Sequence, residues 1–357
     1  MLAVTATLAL ASFAAGCGGP GAHYPVYVLE PPPAITAEVP PAPAVEEVEP
    51  YIPAEPDPER WPLSGVEAEV EPRPALLVKV ENTPRARPQA GLEYADIVYE
   101  QILEGGISRF LAVYNSIIPN AIYPVRSARS IDLGLVLPYR GVFAYSGAMP
   151  QFTQMFNNTG IQSLTFDRGS AGFYRVSGRP ALHSVAINPE VILSQADAYR
   201  DAPPPQMLRF AESPAMASAA NGNPASHIRA VMSAAQTTNW TWDEVSSRFS
   251  RSNGNAPSVA ANGARHQADN LIFVDVLKVP TGMRDSAGSS IPEVYWDNTG
   301  PALFATNGNY IEGYWVKPDY WTPFSFYDLS GDPVTFAPGA TWIHLVPRGS
   351  GSWTVTE

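Results

Sequence analysis

The sequence predicts an α/β (α+β) N-terminal domain with a mixed sheet, followed by a β-rich, mainly antiparallel C-terminal domain. Three observations lead there. Up to about residue 202, short apolar runs alternate with Pro-punctuated loops and helix-like stretches. From residue 224 onward, β-branched and aromatic runs are separated by Gly, Asn, Asp and Pro turns at short intervals, an antiparallel pattern. The chain of 357 residues carries 37 Pro and 27 Gly, which favours a turn-rich body behind a linker. That length accommodates two domains, placed at 61–205 and 224–357 with a Pro/Ala/Ser/Asn-rich boundary between them.

Residues 1–17 read as an export signal. The apolar run from Leu2 to Ala15 is too short to span a bilayer and suits a signal-peptide core. It closes on "AAGC", which looks like a lipoprotein signal cut before Cys17, whose thiol would then be lipidated. Ala14 stands where Leu is usual, and the lack of Lys or Arg before the run predicts a start upstream of Met1. Cys17 is the only cysteine, so no internal disulfide can form.

Residues 18–60 read as a disordered, polyproline-biased tether. From Gly18 to Glu59 there is no Lys or Arg, and eight acids lie between Glu30 and Glu59. Such a segment buries too little apolar surface to order itself. It carries most of the formal net charge of −12, and fully extended it could reach on the order of 100 Å. With a body still near −4 and a pI of about 4.9, nucleic acid is not an expected partner.

Within the body, "PALLVKVEN" (74–82) predicts a short strand leading into a Pro-rich loop. Residues 95–116 admit two structures. A helix would align Asp96, Glu100 and Glu104 on one face. A hairpin turning on Gly105-Gly106 fits the Ile-Val-Tyr and Phe-Leu-Ala-Val-Tyr runs better. A two-residue turn there pairs Glu104 with Ile107, Ile102 with Arg109 and Glu100 with Leu111. Glu100, Glu104 and Arg109 would then share one face, as a structural ion cluster or a polar pocket.

After Pro124, "VRSARSIDLGLVL" predicts a helix from about Ser127, capped by Ser127 or Ser130. Arg126 and Arg129 at a helix N-terminus oppose its dipole. They make sense beside a carboxylate such as Glu100 or Glu104, or beside an anionic ligand. Ser146 and Gly147 occupy a strand-to-helix junction of the kind that lines pockets in α/β folds. His183, flanked by apolar residues, is expected to be buried or hydrogen-bonded.

The stretches "VKVENTPRARPQAGLEYADIVYEQILEGGISRFLAVY", "YPVRSARSIDL" and "AYSGAMPQ" resemble the N-terminal domain of the YerB-like bacterial lipoproteins, a family of unassigned function. The resemblance covers roughly 74–200, with a second match in the C-terminal part. It implies an α/β domain, a β-rich domain and envelope anchoring, and it implies no reaction.

Catalytic signatures are otherwise missing from the sequence. There is no Walker loop, GxGxxG, GxSxG, HExxH or CxxC, and the five histidines lack metal spacing. No cofactor or metal is expected. Tyr310, Tyr314, Trp315, Trp321 and Trp342 are core candidates, with an aromatic sugar platform as the alternative. The leading expectation is an exported lipoprotein, held by lipid on the outer face of the cytoplasmic membrane. It would bind or scaffold an envelope protein or an anionic polymer through Glu100, Glu104, Arg109, Arg126 and Arg129, with Asp96, Ser146, Gly147 and His183 as secondary candidates. The alternative is an envelope hydrolase acting on wall polymer through Glu100 and Glu104.

Overall fold

A computed structural model describes residues 51–54, 59–285, 288–296 and 298–357. Cys17, the segment read as an export signal and nearly all of the segment read as a tether lie outside the described residues. The described residues belong to one compact unit.

Its frame is a large mixed sheet. The N-terminal half contributes β1 (Leu76–Glu81), β2 (Ile97–Ile102), β3 (Ser108–Tyr114), β4 (Val142–Tyr145) and β5 (Gln162–Thr165). A separate two-stranded pair, β6 (Phe173–Arg175) and β7 (Val185–Ile187), follows. The C-terminal half begins with β8 (His227–Ser233), β9 (Gln236–Asp243) and β10 (Arg248–Asn253). After these come β11 (Asn270–Val276), the hairpin β12 (Lys278–Arg284) and β13 (Ser290–Val294), β14 (Asn298–Thr306) and β15 (Asn309–Lys317). The chain ends with β16 (Ser325–Asp328), β17 (Thr341–Pro347) and β18 (Ser352–Thr356).

The large sheet runs β16-β15-β14-β11-β17-β2-β3-β1-β4-β5. Strand β17, from near the chain's end, pairs in parallel with both β11 and β2, so the two halves of the sequence share one sheet. A smaller antiparallel sheet, β10-β9-β8-β18, covers one face. Val98, Phe110 and Ala112 pack there against Ile228, Met232 and Trp240. The opposite face packs Tyr99, Leu111 and Val113 against Ile131 of the 3-10 turn Ser130–Asp132 and against Leu135 and Phe152 of the short helices α1 (Leu133–Val136) and α2 (Pro150–Asn158). The near-continuous apolar strands follow from this two-sided burial.

The hairpin at 95–116 is strand, as expected, but its turn is longer. Leu103 N–H donates to Ile107 O around a 3-10 turn of Glu104–Gly106, with Gly105 and Gly106 both at positive φ. One extra loop residue shifts the register by one, so Glu100 opposes Phe110 and Gln101 opposes Arg109. A one-residue shift exchanges the two faces. Glu100 and Arg109 therefore point to opposite sides of the sheet, correcting the single-face cluster expected from a two-residue turn.

The stretch after Pro124 also departs from expectation. Residues 125–128 continue as extended chain across the ends of β1 and β4. Arg126 N–H donates to Lys79 O, and Ser146 N–H donates to Arg126 O. Helical turns begin only at Ser130, and neither Ser127 nor Ser130 caps them. The Asp132 carboxylate reaches back to Arg129 N–H instead.

Candidate functional site: a sealed carboxylate and an arginine cluster

Alternation along β1, β2 and β3 sorts the polar residues of the hairpin into two groups. Glu100 and Ser108 face the smaller sheet, whereas Lys79, Gln101 and Arg109 face the helices.

Glu100 is fully buried. One Arg251 nitrogen lies 3.0 Å from each of its carboxylate oxygens. Thr238 donates to Oε2 at 2.9 Å, and Ser108 to Oε1 at 2.8 Å. Asn82 and Gln236 approach Oε1 at 3.4 and 3.3 Å. His344 Nδ1 lies 3.1 Å from Oε2, while its Nε2 accepts from Trp240 Nε1 at 2.9 Å. Trp240 thereby fixes the tautomer, leaving the His344 proton on Nδ1, toward Glu100. Burial alone would raise the Glu100 pKa, but Arg251 and His344 outweigh it and hold the carboxyl well below the usual range. Burial pushes the His344 pKa down against the pull of Glu100, keeping the ring neutral. The Arg251 guanidinium is itself buried, stacked near Phe110 and Trp342. This centre joins β2 of one half to β9, β10 and β17 of the other, and no edge of it opens to solvent.

On the helix face the cations gather at the carboxyl ends of β1 and β4. Lys79 Nζ and Gln101 Nε2 both donate to Asp132 Oδ1 at 2.6 Å, and all three are fully buried. Arg129 Nε donates to Glu104. Arg109 Nη1 donates to Ser127 O at 2.9 Å. Arg126 Nη1 donates to Leu182 O at 3.1 Å, while its Nε stands 3.5 Å from Glu81 without a hydrogen bond. His183 Nδ1 lies 2.8 Å from the other Glu81 oxygen. Burial, then Arg129 and Arg126, bring the Arg109 pKa down to about 10, with Glu104 and Glu81 opposing. Burial is also the main reason Lys79 falls to about 8; Asp132 opposes it, and Arg109 and Arg129 add to the fall.

Serine and glycine form the rim. Ser127 Oγ and Ser146 Oγ lie 3.4 Å apart. A Cβ on Gly147 would fall 1.7 Å from Asp167 Oδ2, so only glycine lets that carboxylate sit against the β4–α2 junction. Hairpin β12–β13 adds Lys278, whose pKa burial lowers with Glu104 opposing, and Glu293, whose pKa burial raises to about 7, with Ser130 opposing and Asp132 reinforcing.

The structure thus brings Glu104, Arg109, Arg126, Arg129, Ser146, Gly147 and His183 to one end of the sheet. It does not bring Glu100 or Asp96 there. Asp96 is buried and accepts from the Asn115 and Ser116 backbone N–H groups, closing the end of β3. Sequence reasoning missed Lys79, Glu81 and Asp132 in the cluster and Arg251 and His344 around Glu100. A lone lysine inside "LLVKV" was a usable signal, because a buried ammonium needs a partner. Among the described residues no group of three or more His, Cys, Asp or Glu is arranged to hold a metal ion.

Residues 63–201 match the N-terminal domain, and residues 228–343 the C-terminal domain, of the family described as protein of unknown function DUF3048. Over 309 residues the chain is 28% identical to YerB of Bacillus subtilis strain 168, provisionally named a lipoprotein, covering 80% of this chain and 86% of that protein. The crystal structure of YerB from Bacillus subtilis superposes with a TM-score of 0.71 at 24% identity, over 83% of this chain and 99% of that one. That likeness shows the fold.

Proposed function

We propose, on the premise that this chain belongs to the YerB-like family of unassigned function, that it is a lipid-anchored envelope protein recognising an anionic ligand at the arginine cluster. The signal ending at Cys17 and the acidic Pro-rich tether support anchoring and reach. The observation that carries the binding reading is Arg109. Among the described residues its guanidinium has one hydrogen bond, to Ser127 O, and it sits among Arg126 and Arg129, so positive charge there exceeds what Glu104 and Glu81 answer. An anion with several oxygens would accept the remaining donors of Arg109 and Arg126 together with the Ser127 and Ser146 hydroxyls.

The test uses inorganic phosphate as the probe, at constant ionic strength. A saturable rise in melting temperature is expected. It should be lost in Arg109→Gln and Arg126→Gln. A wild-type protein indifferent to phosphate, or variants that respond like it, would defeat the reading. Anchoring is tested separately. Cys17→Ala should move the protein from the membrane fraction to the soluble fraction, and a mutant that stays on the membrane ends the lipid-anchor reading.

The hydrolase reading finds no support in the geometry. Glu100 has no exposed oxygen, Glu104 is engaged by Arg129, and the two lie apart on different elements.

A further inference from the structure

A second concavity lies at the opposite end of β4 and β5, away from the arginine cluster. It encloses about 280 Å³, near the lower edge of the ligand-pocket range of about 300–1,000 Å³. Val136, Leu137 and Ile161 supply apolar wall, and Arg140, Tyr199 and Trp321 border it.

The floor is preformed by one guanidinium. Arg200 donates to Gly141 O at 3.0 Å and to Gly160 O at 2.5 Å, tying together the turns that precede β4 and β5. Its remaining nitrogen meets Asp197 at 2.6 Å. Arg140 has none of this engagement. It is exposed, makes no side-chain hydrogen bond or ion pair among the described residues, and is held at φ 53, a conformation that disfavours side chains other than Gly and Asn.

The aromatic rim is exposed yet held. Trp321 is 58% and Tyr199 92% exposed. Asp319 Oδ1 accepts from the Trp321 and Thr322 backbone N–H groups at 2.7 and 2.6 Å, so the loop bearing the indole is fixed before any ligand arrives. A large apolar ring presented on a locked loop is pre-organised for stacking.

We infer that this concavity binds one sugar unit carrying a carboxylate or phosphate. The indole and phenol rings would cover the ring's C–H faces, and Arg140 would pair with the acidic group. A neutral sugar would leave Arg140 unused, and a bare anion would leave the aromatic surface uncovered.

Calorimetric titrations of the full-length protein with glucuronate, glucose 6-phosphate, glucose and acetate test this with a readout that does not depend on Trp321. Both acidic sugars should bind saturably and at least about fivefold tighter than glucose or acetate, a preference worth roughly 1 kcal/mol. Trp321→Ala should abolish binding, and Arg140→Gln should reduce the acidic sugars to the level of glucose. Both positions are on the surface, so unchanged melting curves would exclude misfolding as the cause. Arg109→Gln should leave these titrations unaltered, which separates this site from the phosphate response of the cluster. Acidic sugars that bind no better than glucose, or binding that survives Trp321→Ala, would overturn the inference.

Discussion

Glu100 and Gln101 are neighbours in one strand, yet they serve two differently built polar centres. Glu100 looks toward the smaller sheet, where six side chains converge on its two oxygens and solvent has no access. Gln101 looks toward the helices, where Lys79 and Asp132 are sealed but the arginines above them are not fully engaged. The difference lies in the ratio of donors to acceptors. Around Glu100 one carboxylate has more donors than it needs, and the group is locked. In the cluster the donors of Arg109 and Arg126 outnumber the oxygens that reach them among the described residues. The Glu100 oxygens are saturated even though Arg251 Nε and His344 Nδ1 beside them make no hydrogen bond, and burial keeps those atoms from any ligand; Arg126 is part-exposed, and its open donors are the ones the proposed ligand would fill.

The largest expected effect therefore belongs to the sealed centre. Arg251→Met should leave the Glu100 charge buried without its cation and destabilise the protein by about 3–5 kcal/mol in urea unfolding. Combining it with Glu100→Gln should recover part of that loss, since the orphaned charge is then gone. The centre should also weaken in acid. Glu100 has a depressed folded pKa, so its contribution is present above about pH 4.3 and lost as pH falls through the folded value. A wild-type-like unfolding curve for Arg251→Met would break the contrast between the two faces.

Much of this was legible in the sequence, and the misses have physical reasons. The strands, the Gly-Gly turn and the change from mixed to antiparallel pairing followed from composition and turn residues. The register did not. Whether Glu104 belongs to the strand or to the loop changes the hairpin by one residue, and nothing local in "ILEGGIS" decides it. That one residue moved Glu100 to the other face, away from Arg109. Pairing Arg129 with Glu104 could be anticipated because a buried guanidinium needs a carboxylate nearby. Arg251 and His344 could not, since they lie 151 and 244 positions beyond Glu100; His344 reaches it because β17 inserts beside β2, and Arg251 because the smaller sheet packs over that face. Long-range parallel pairing leaves no local trace.

A smaller effect should mark where the cluster's positive field ends. Glu293, on β13, is raised to about 7 by burial and by Asp132, with Ser130 opposing. Its folded pKa exceeds the unfolded value of about 4.3, so the folded state holds an extra proton between them. The associated stability is present below about pH 4.3 and is lost as pH rises through 7. Glu293→Gln should therefore gain about 3 kcal/mol relative to wild type between pH 4 and pH 8, read by urea unfolding at both values. A flat difference would mean that the arginines reach Glu293 and hold it ionised, extending the cluster beneath the β12–β13 hairpin.

The smallest expected effect decides what the cluster is for. Arg126 keeps 24% of its side-chain surface exposed, has one hydrogen bond to a backbone oxygen and stands 3.5 Å from Glu81. Arg126→Ala removes a half-open pair, so its stability change should stay within about 1 kcal/mol. His183 remains on Glu81 at 2.8 Å, and Thr83 donates to the same carboxylate at 2.9 Å, so the partner is not orphaned. Arg129→Ala should cost more, because Glu104 is nearly buried and Arg129 is its hydrogen-bonding cation. Thermal melts of the two variants beside Arg251→Met would rank the three guanidiniums by how completely each is enclosed. If Arg126→Ala destabilised as much as Arg251→Met, the cluster would be a second structural lock. Its unpaired donors would then be no evidence of a ligand.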